Sequence, residues 1–204
     1  MTRTAHPIEA ESYAILRSRA DTAGLPPWTR AVVERVIHTS ADLAYLADLV
    51  CDEAALADGA AALRGGAAVV ADTAMTAAGV TSRDAVCRIA DPGAVTLAAT
   101  SGITRSAAGI RVAFAEVGPG AVWVIGTAPT ALAELLALPA APALVIGLPV
   151  GFVGAVESKA ALRASGLPGL TNTGEKGGAA VAAAALNALL YHEPAGVEAG
   201  RCAV

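Results

Sequence analysis

The fold of this 204-residue chain is decided by two apolar runs, Ala121-Val-Trp-Val-Ile125 and Ala143-Leu-Val-Ile-Gly147. Continuous apolar runs of this length are typical of parallel strands that are buried on both faces. Residues 129–138 lie between them and begin with proline, which suits the first turn of a helix. A strand, a helix and a second strand predict a βαβ unit and hence a parallel sheet.

The same alternation continues on both sides of this unit. Residues 67–71 predict a strand that ends at Asp72, and residues 86–90 predict another. Residues 42–52 are compatible with an extended segment or a helix. Further helices are predicted at residues 7–17, 53–64, 100–116 and 152–165 and in an alanine-rich segment that ends at Leu190. The prediction is a doubly wound α/β domain with a mainly parallel sheet.

Composition favours one soluble domain. Hydrophobic residues make up 55% of the chain but aromatic residues only 3%, which suits helices packed closely on a sheet. The apolar runs at residues 143–156 and 177–190 are shorter than the roughly 20 residues of a membrane span. Glu9 and Glu11 lie where the apolar region of a signal peptide would have to be, so we expect none. We predict a cytoplasmic protein with a single domain over residues 1–204, a core at about 7–190 and a polar tail at 191–204.

Charge and cysteine content exclude several other classes. The formal net charge of −4 argues against a general nucleic-acid binder, although it permits a local site for an anionic ligand. Cys51, Cys87 and Cys202 are odd in number and far apart, which disfavours a disulfide framework or a zinc site. We predict that they are buried, reduced thiols.

His38 is the candidate proton donor. Four apolar residues before it share one face of a predicted helix (Val32, Val33, Val36 and Ile37), and His38 falls opposite that face. Thr39, Ser40 and Asp42 follow it where the helix ends. Histidine is the side chain that exchanges a proton near neutral pH. The alternative is a solvated surface histidine.

Two predicted helix starts could bind an anion. Arg105 lies in a first turn beside Thr104 and Ser106, where free backbone N–H groups would also converge. Lys176 precedes Gly177 and Gly178 at the start of the last helix. The alternatives are a solvated arginine and a tight turn between a strand and a helix. Neither a GxxxxGK[ST] phosphate loop nor a GxGxxG motif after a strand is present.

Seven segments together resemble the precorrin-8X methylmutase family of corrin biosynthesis, in the same order and spacing, and they span residues 7–190. The segment that ends in Glu-Ser-Lys159 is the most specific of them. They are Glu11-Ser-Tyr-Ala-Ile, the stretch from Val33 to Asp42, Ala71-Asp-Thr-Ala-Met, Thr104-Arg-Ser-Ala-Ala, Ile125-Gly-Thr-Ala-Pro-Thr-Ala-Leu132, Gly147-Leu-Pro-Val-Gly-Phe-Val-Gly-Ala-Val-Glu-Ser-Lys159 and Gly174-Glu-Lys-Gly-Gly178.

The resemblance implies a flavodoxin-like three-layer α/β/α fold and a homodimer with its site near the subunit interface. It implies an isomerase with no cofactor and no metal, which moves a methyl group from C-11 to C-12 of a tetrapyrrole. In this family a histidine that matches His38 is taken to protonate a nitrogen beside the migrating centre. The substrate carries several carboxylates, so the resemblance implies that the two cationic helix starts bind these carboxylates.

The contacts with substrate that the resemblance assigns to this chain are Ser12, Arg17, Thr39, Thr104, Arg105, Ser106, Lys176, Gly177 and Gly178. Of these, Ser12 could be a neutral surface hydroxyl or a ligand contact, and pattern alone favours the surface hydroxyl; Arg17 is the weaker assignment. Lys159 could pair with Glu157, but a structural role is preferred. The chain departs from the family pattern at Thr76, Thr127, Glu175 and Ala179.

Two other functions compete with the enzyme. One is a corrinoid carrier on the same fold that binds without turnover. The other is a flavin- or nucleotide-binding domain, but this would need a hydroxyl-rich phosphate loop after the first strand, and none is present. His38 favours the enzyme, because a carrier has no need of a proton donor.

Overall fold

In the computed structural model, which describes residues 6–192, one five-stranded sheet is flanked by helices. The strands are β1 (Leu49–Cys51), β2 (Val69–Ala71), β3 (Val122–Ile125), β4 (Leu144–Gly147) and β5 (Gly169–Asn172). The helices are α1 (Pro7–Arg19), α2 (Pro27–Ser40), α3 (Tyr45–Asp48), α4 (Glu53–Arg64), α5 (Ala74–Ala78), α6 (Pro92–Ser101), α7 (Arg105–Val117), α8 (Pro129–Ala137), α9 (Ala155–Ala164) and α10 (Ala179–Tyr191).

The strands lie in the order β1-β5-β4-β3-β2. Each neighbouring pair from β2 to β5 is parallel, and β1 pairs with β5 in the antiparallel sense. The carboxyl ends of the four parallel strands therefore meet at one side, which we call the carboxyl edge. Ligands of open α/β sheets bind at this edge.

Helices cover both faces of the sheet and form two cores. Val122 and Val124 pack toward the helices α2, α4 and α10, whereas Trp123 and Ile125 pack toward α7, α8 and α9. This alternation, with both faces buried, explains why β3 is apolar throughout. The prediction of a three-layer α/β/α fold with a mainly parallel sheet is confirmed. Among residues 6–192, no helix has the length and apolar character needed to span a membrane.

Several predicted elements agree with the structure. The strands predicted from the apolar runs are β2, β3 and β4, and helix α4 has the predicted bounds. Residues 42–52, for which two conformations were open, contain both α3 and β1. The predicted tail at 191–204 begins at the last residue of α10, and its remainder from 193, with Cys202, lies outside the described residues. Cys51 and Cys87 are free thiols, each half-buried.

The single helix predicted for residues 100–116 is wrong. Helix α6 ends at Ser101, Gly102 takes a left-handed conformation with φ of 65°, and α7 starts at Arg105. The Thr104 hydroxyl caps α7 by accepting a hydrogen bond from the N–H of Ala107. The apolar spacing runs across this break, so periodicity alone did not reveal it.

Three further predictions need correction. Residues 86–90 are not a strand, because only Val86 pairs, with Val70, in an isolated bridge. The helix predicted from residue 152 begins at Ala155, after Gly154 in a left-handed conformation with φ of 77°. Strand β5 was missed: half of it is polar, with Thr171 and Asn172, so it lacks the apolar signature of a buried strand.

Candidate active site

The carboxyl edge is organised by Asp72, which follows β2 and is buried. Its carboxylate accepts hydrogen bonds from the backbone N–H groups of Gly126, Thr127 and Ala128, at 3.2, 2.8 and 2.8 Å. The Thr76 hydroxyl donates a fourth, at 2.7 Å. Asp72 therefore joins the ends of β2 and β3 and fixes the turn that leads into α8.

His38 lies in the last turn of α2, half-buried, and two residues of α1 hold its ring. Ser12 Oγ is 2.7 Å from His38 Nδ1. The Tyr13 ring stacks on the imidazole, with 5.0 Å between the ring centroids and 6° between the planes. Because the hydrogen bond uses Nδ1, Nε2 is the nitrogen left for a ligand, and it has no hydrogen-bond partner within residues 6–192. The imidazole is thus an oriented group for proton transfer.

Glu34 is the buried centre of an ion network that joins α1 to α2. It accepts hydrogen bonds from Arg17 at 3.0 and 2.6 Å, from Arg30 at 2.9 Å and from the Thr22 hydroxyl at 2.6 Å. Burial by itself raises the pKa of Glu34, but hydrogen bonds from Arg17, Thr22 and Arg30 outweigh it and lower the pKa to about 2. The network fixes α1, and with it the two side chains that orient the imidazole.

Arg105 begins α7 and is exposed. It forms neither a hydrogen bond nor an ion pair with any residue from 6 to 192. Next to it, the Thr104 hydroxyl lies 2.7 Å from the hydroxyl of Thr130 in α8, while Ser106 is half-buried. This helix start therefore presents a free guanidinium and hydroxyl groups, a combination suited to a carboxylate.

Lys176 lies in the segment 173–178 between β5 and α10, which we call the Lys176 loop. Its ammonium is 2.7 Å from Asp42 Oδ2 and lies over the Tyr45 ring. At Gly177 a Cβ atom would overlap the carbonyl oxygen of Leu148, so the close approach of two loops requires glycine there. The loop is therefore tightly built, and its lysine already has an anionic partner.

The predicted site residues form two groups along the carboxyl edge. His38 with Ser12 is linked to the Lys176 loop, because Asp42 follows the end of α2 one helical turn after the histidine. Arg105 with Thr104 and Ser106 forms the second group, beside the start of α8. Two assigned residues fit less well, since Arg17 is committed to Glu34 and Thr39 is exposed on α2 without a hydrogen bond to the described residues.

Two features of this region were not predicted from the sequence. Tyr13 was not singled out, although it directly follows Ser12. Thr76 and Thr127, two departures from the family pattern, are neighbours with 3.4 Å between their hydroxyl oxygens, and both lie within 3.1 Å of the Thr73 hydroxyl. The contact between Thr76 and Thr127 could have been predicted only from the expectation that β2 and β3 end side by side.

An exposed apolar loop separates the two groups of site residues. Phe152 and Val153 follow β4 and are 96% and 88% exposed. Large apolar side chains at this exposure are typical of a surface that meets a ligand or a partner. The carboxyl edge thus combines an oriented imidazole, two cationic side chains and an exposed apolar loop. Within the described residues no cluster of three or more histidine, cysteine or acidic side chains could hold a metal ion.

Comparison with known proteins defines the class of protein to which this fold and site belong. A family model described as precorrin-8X methylmutase matches residues 7–192. The cobalt-precorrin-8 methylmutase of Salmonella typhimurium is 42% identical over 91% of this chain and 94% of its own length. The precorrin-8X methylmutase of Pseudomonas aeruginosa is 41% identical over 92% of this chain and 95% of its own. These relatives are isomerases, so the class is that of the methyl-shifting enzymes.

The fold comparison agrees. The crystal structure of the precorrin-8X methylmutase from Thermus thermophilus superimposes with a TM-score of 0.82 and 34% identity, covering 91% of this chain and 96% of that one. The chain belongs to the precorrin-8X methylmutase family.

Proposed function

We propose that this enzyme moves a methyl group from C-11 to C-12 of precorrin-8X to give hydrogenobyrinic acid, or acts on the cobalt-containing equivalent, in the cytoplasm. The observation that carries this proposal is the oriented imidazole of His38. Its Nδ1 is engaged by Ser12 and its ring by Tyr13, which leaves Nε2 to meet a ring nitrogen of the substrate.

In the proposed reaction, Nε2 of His38 transfers a proton to a nitrogen beside the migrating centre. The protonated nitrogen withdraws electrons from the conjugated system, and the methyl group shifts within the same molecule before the proton returns to Nε2. Such a shift needs no redox partner and no external nucleophile, only a placed proton and a ring held in shape. Ser12 accepts from Nδ1–H throughout, so the imidazole keeps one tautomer as it loses and regains its proton.

The carboxylates of the substrate hold the ring in place. We assign them to the start of α7, with Arg105, Thr104 and Ser106, and to the Lys176 loop with Gly177 and Gly178. The apolar loop of Phe152 and Val153 lies between these groups, so the arrangement suits a flat ring with a charged rim. Arg17 and Thr39 are the weaker assignments, because Arg17 is paired with Glu34 and Thr39 is exposed without a hydrogen bond to the described residues. Ser12 acts through the imidazole.

We also propose that a second copy of the chain covers the exposed apolar side chains near the site. Ile8 and Ile15 of α1 are 70% and 44% exposed and lie one helical turn to either side of Ser12. With Phe152 and Val153 they give a surface that a homodimer would bury.

Light scattering should find a dimer for the wild type and a monomer after Phe152→Ser with Val153→Ser. Val95→Ser, at an exposed position on α6, should remain dimeric, and a dimer in the double variant would contradict the proposal.

The decisive experiment mixes the protein with precorrin-8X and follows the visible spectrum. Wild type should form the rearranged chromophore, and His38→Ala should bind at micromolar or better affinity while its turnover falls about 10²- to 10⁴-fold, the range for a lost general acid. His6→Ala, a histidine at the start of α1, is the control and should retain activity. Binding without conversion by the wild type, with cobalt-precorrin-8 as well, would favour the carrier.

A further inference from the structure

Lys159 of α9 is a fully buried lysine that contacts the Lys176 loop from the protein interior. Its side chain is 0% exposed, and Nζ donates to the backbone carbonyls of Gly174 and Lys176, at 2.7 and 2.5 Å. It does not pair with Glu157, and within residues 6–192 it forms no ion pair. The chain contains only two lysines: Lys176 lies in this loop, and Lys159 binds the loop backbone from α9.

Two further hydrogen bonds hold the backbone of the loop. Asn172 Nδ2 donates to the carbonyl of Lys176 at 3.0 Å, and the N–H of Gly151 donates to the carbonyl of Glu175 at 3.1 Å. The backbone N–H groups of residues 174–177, by contrast, have no acceptor in the part of the chain that the structure describes. The carbonyl oxygens of residues 174–176 therefore all accept internal hydrogen bonds, whereas the consecutive N–H donors of residues 174–177 are unused.

Burying an ammonium without a carboxylate partner is unfavourable, because the charge loses its hydration. Burial is accordingly the largest effect on the pKa of Lys159, which falls to about 8; Asp48 and Glu175 act to raise the pKa and Arg163 to lower it. An apolar side chain would fill the same space without this cost. What the lysine adds is its hydrogen bonds to the two loop carbonyls.

We propose that Lys159 is a positioning residue for substrate binding, whose ammonium fixes the Lys176 loop so that the free N–H groups of residues 174–177 and the side chain of Lys176 together receive one carboxylate of the substrate. The inference rests on the proposed function, since it names the group that shapes one of the carboxylate contacts. Lys159 touches no substrate itself.

The first test is a double-mutant cycle with Lys159→Met and Lys176→Met, with precorrin-8X for turnover and hydrogenobyrinic acid for binding. Lys159→Met should raise KM and the Kd for the product about tenfold, as expected for loss of a charge-assisted contact, with kcat within about threefold because His38 is intact. The double variant should bind no worse than Lys159→Met alone, because loss of Lys159 already displaces the loop that carries Lys176. Additive losses, or an unchanged KM in Lys159→Met, would overturn the proposal.

A second measurement needs no variant at Lys159. Since the chain has two lysines, selective ¹⁵N labelling gives two Nζ signals, and Lys176→Arg assigns them. Binding of hydrogenobyrinic acid should raise the pKa of Lys159, because a carboxylate then lies across the loop beside Asp48, Glu175, Arg163 and Lys176. An unchanged pKa with saturating product would overturn the proposal even if Lys159→Met does not fold.

Different results would contradict the role of Lys159 and the proposed function. An active wild type with an unchanged Lys159→Met contradicts the inference alone. A wild type that neither converts nor binds either form of the substrate contradicts the proposed function. In that case the NMR signals of the backbone amides of residues 174–178, measured without ligand, still decide whether Lys159 positions the loop. These signals should shift in Lys159→Met relative to the wild type. Unchanged signals would overturn the proposal.

Discussion

The start of α7 and the Lys176 loop both carry a cation at the carboxyl edge, but they are built in different ways. Arg105 is exposed and has no partner among residues 6–192, whereas Lys176 is paired with Asp42 and lies over Tyr45. The loop backbone around Lys176 is fixed from the interior by Lys159. One contact therefore consists of a free side chain on a helix, and the other of a fixed backbone with a side chain already engaged.

This difference predicts how each region binds a carboxylate. Arg105 can bind an anion without breaking an existing interaction. Most of the free energy of the new contact should therefore contribute to the affinity. Lys176 must share or exchange its contact with Asp42, and its net contribution is smaller. At the Lys176 loop the fixed backbone, rather than the lysine charge, should account for most of the affinity. Four substitutions test this ranking, from the largest expected effect to the smallest.

Gly177→Ala should have the largest effect. Its Cβ would overlap the carbonyl oxygen of Leu148, so the loop must move and the hydrogen bond from the N–H of Gly178 to that carbonyl, at 2.9 Å, is lost. We expect a loss of about 1–3 kcal/mol in the free energy of unfolding and a more than tenfold loss of product affinity. Gly174→Ala is the matched control, because a Cβ there meets no atom within 4 Å. Equal behaviour of the two variants in thermal unfolding and product titration would refute the fixed-loop description.

Arg105→Ala should come second. Loss of a charge-assisted hydrogen bond weakens product binding by about 1.5–3 kcal/mol, without loss of fold stability. Arg111→Ala on the same helix removes a guanidinium that is paired with Glu134, and it should leave binding unchanged. An unchanged affinity in Arg105→Ala, measured by the same spectral titration, would mean that this arginine only faces solvent.

The smallest effects are expected at the ion pair itself. Lys176→Ala should weaken binding less than Arg105→Ala, because the lysine loses Asp42 as it gains the ligand. Asp42→Asn should tighten binding by about twofold, since it releases Lys176 from a solvent-exposed pair of the kind that contributes little. The sign of the Asp42→Asn effect is the informative result: weaker binding would show that Asp42 holds the lysine in its productive position.

Much of the architecture follows from local sequence. The apolar runs of β2, β3 and β4 identified the parallel sheet, because strands buried on both faces must be apolar along their whole length. The break between α6 and α7 was not predictable in this way, since apolar spacing continues through it while Gly102 and Thr104 end one helix and start the next. Strand β5 was missed because its polar residues are satisfied by tertiary contacts, such as the hydrogen bond from the Thr171 hydroxyl to the carbonyl of Gly147.

The sequence by itself determined the layered fold, the place of His38 at the end of an amphipathic helix and the resemblance that names the family. Only the tertiary structure decided which cation is paired: Arg105 has no partner among residues 6–192, whereas Lys176 pairs with Asp42, which is 134 residues away along the chain. It likewise decided that Ser12 and Tyr13 hold the imidazole and that Lys159 supports a loop. Hydrophobic periodicity is a local property that the chain carries in its order, whereas hydrogen bonds and ion pairs depend on which distant segments the fold brings together.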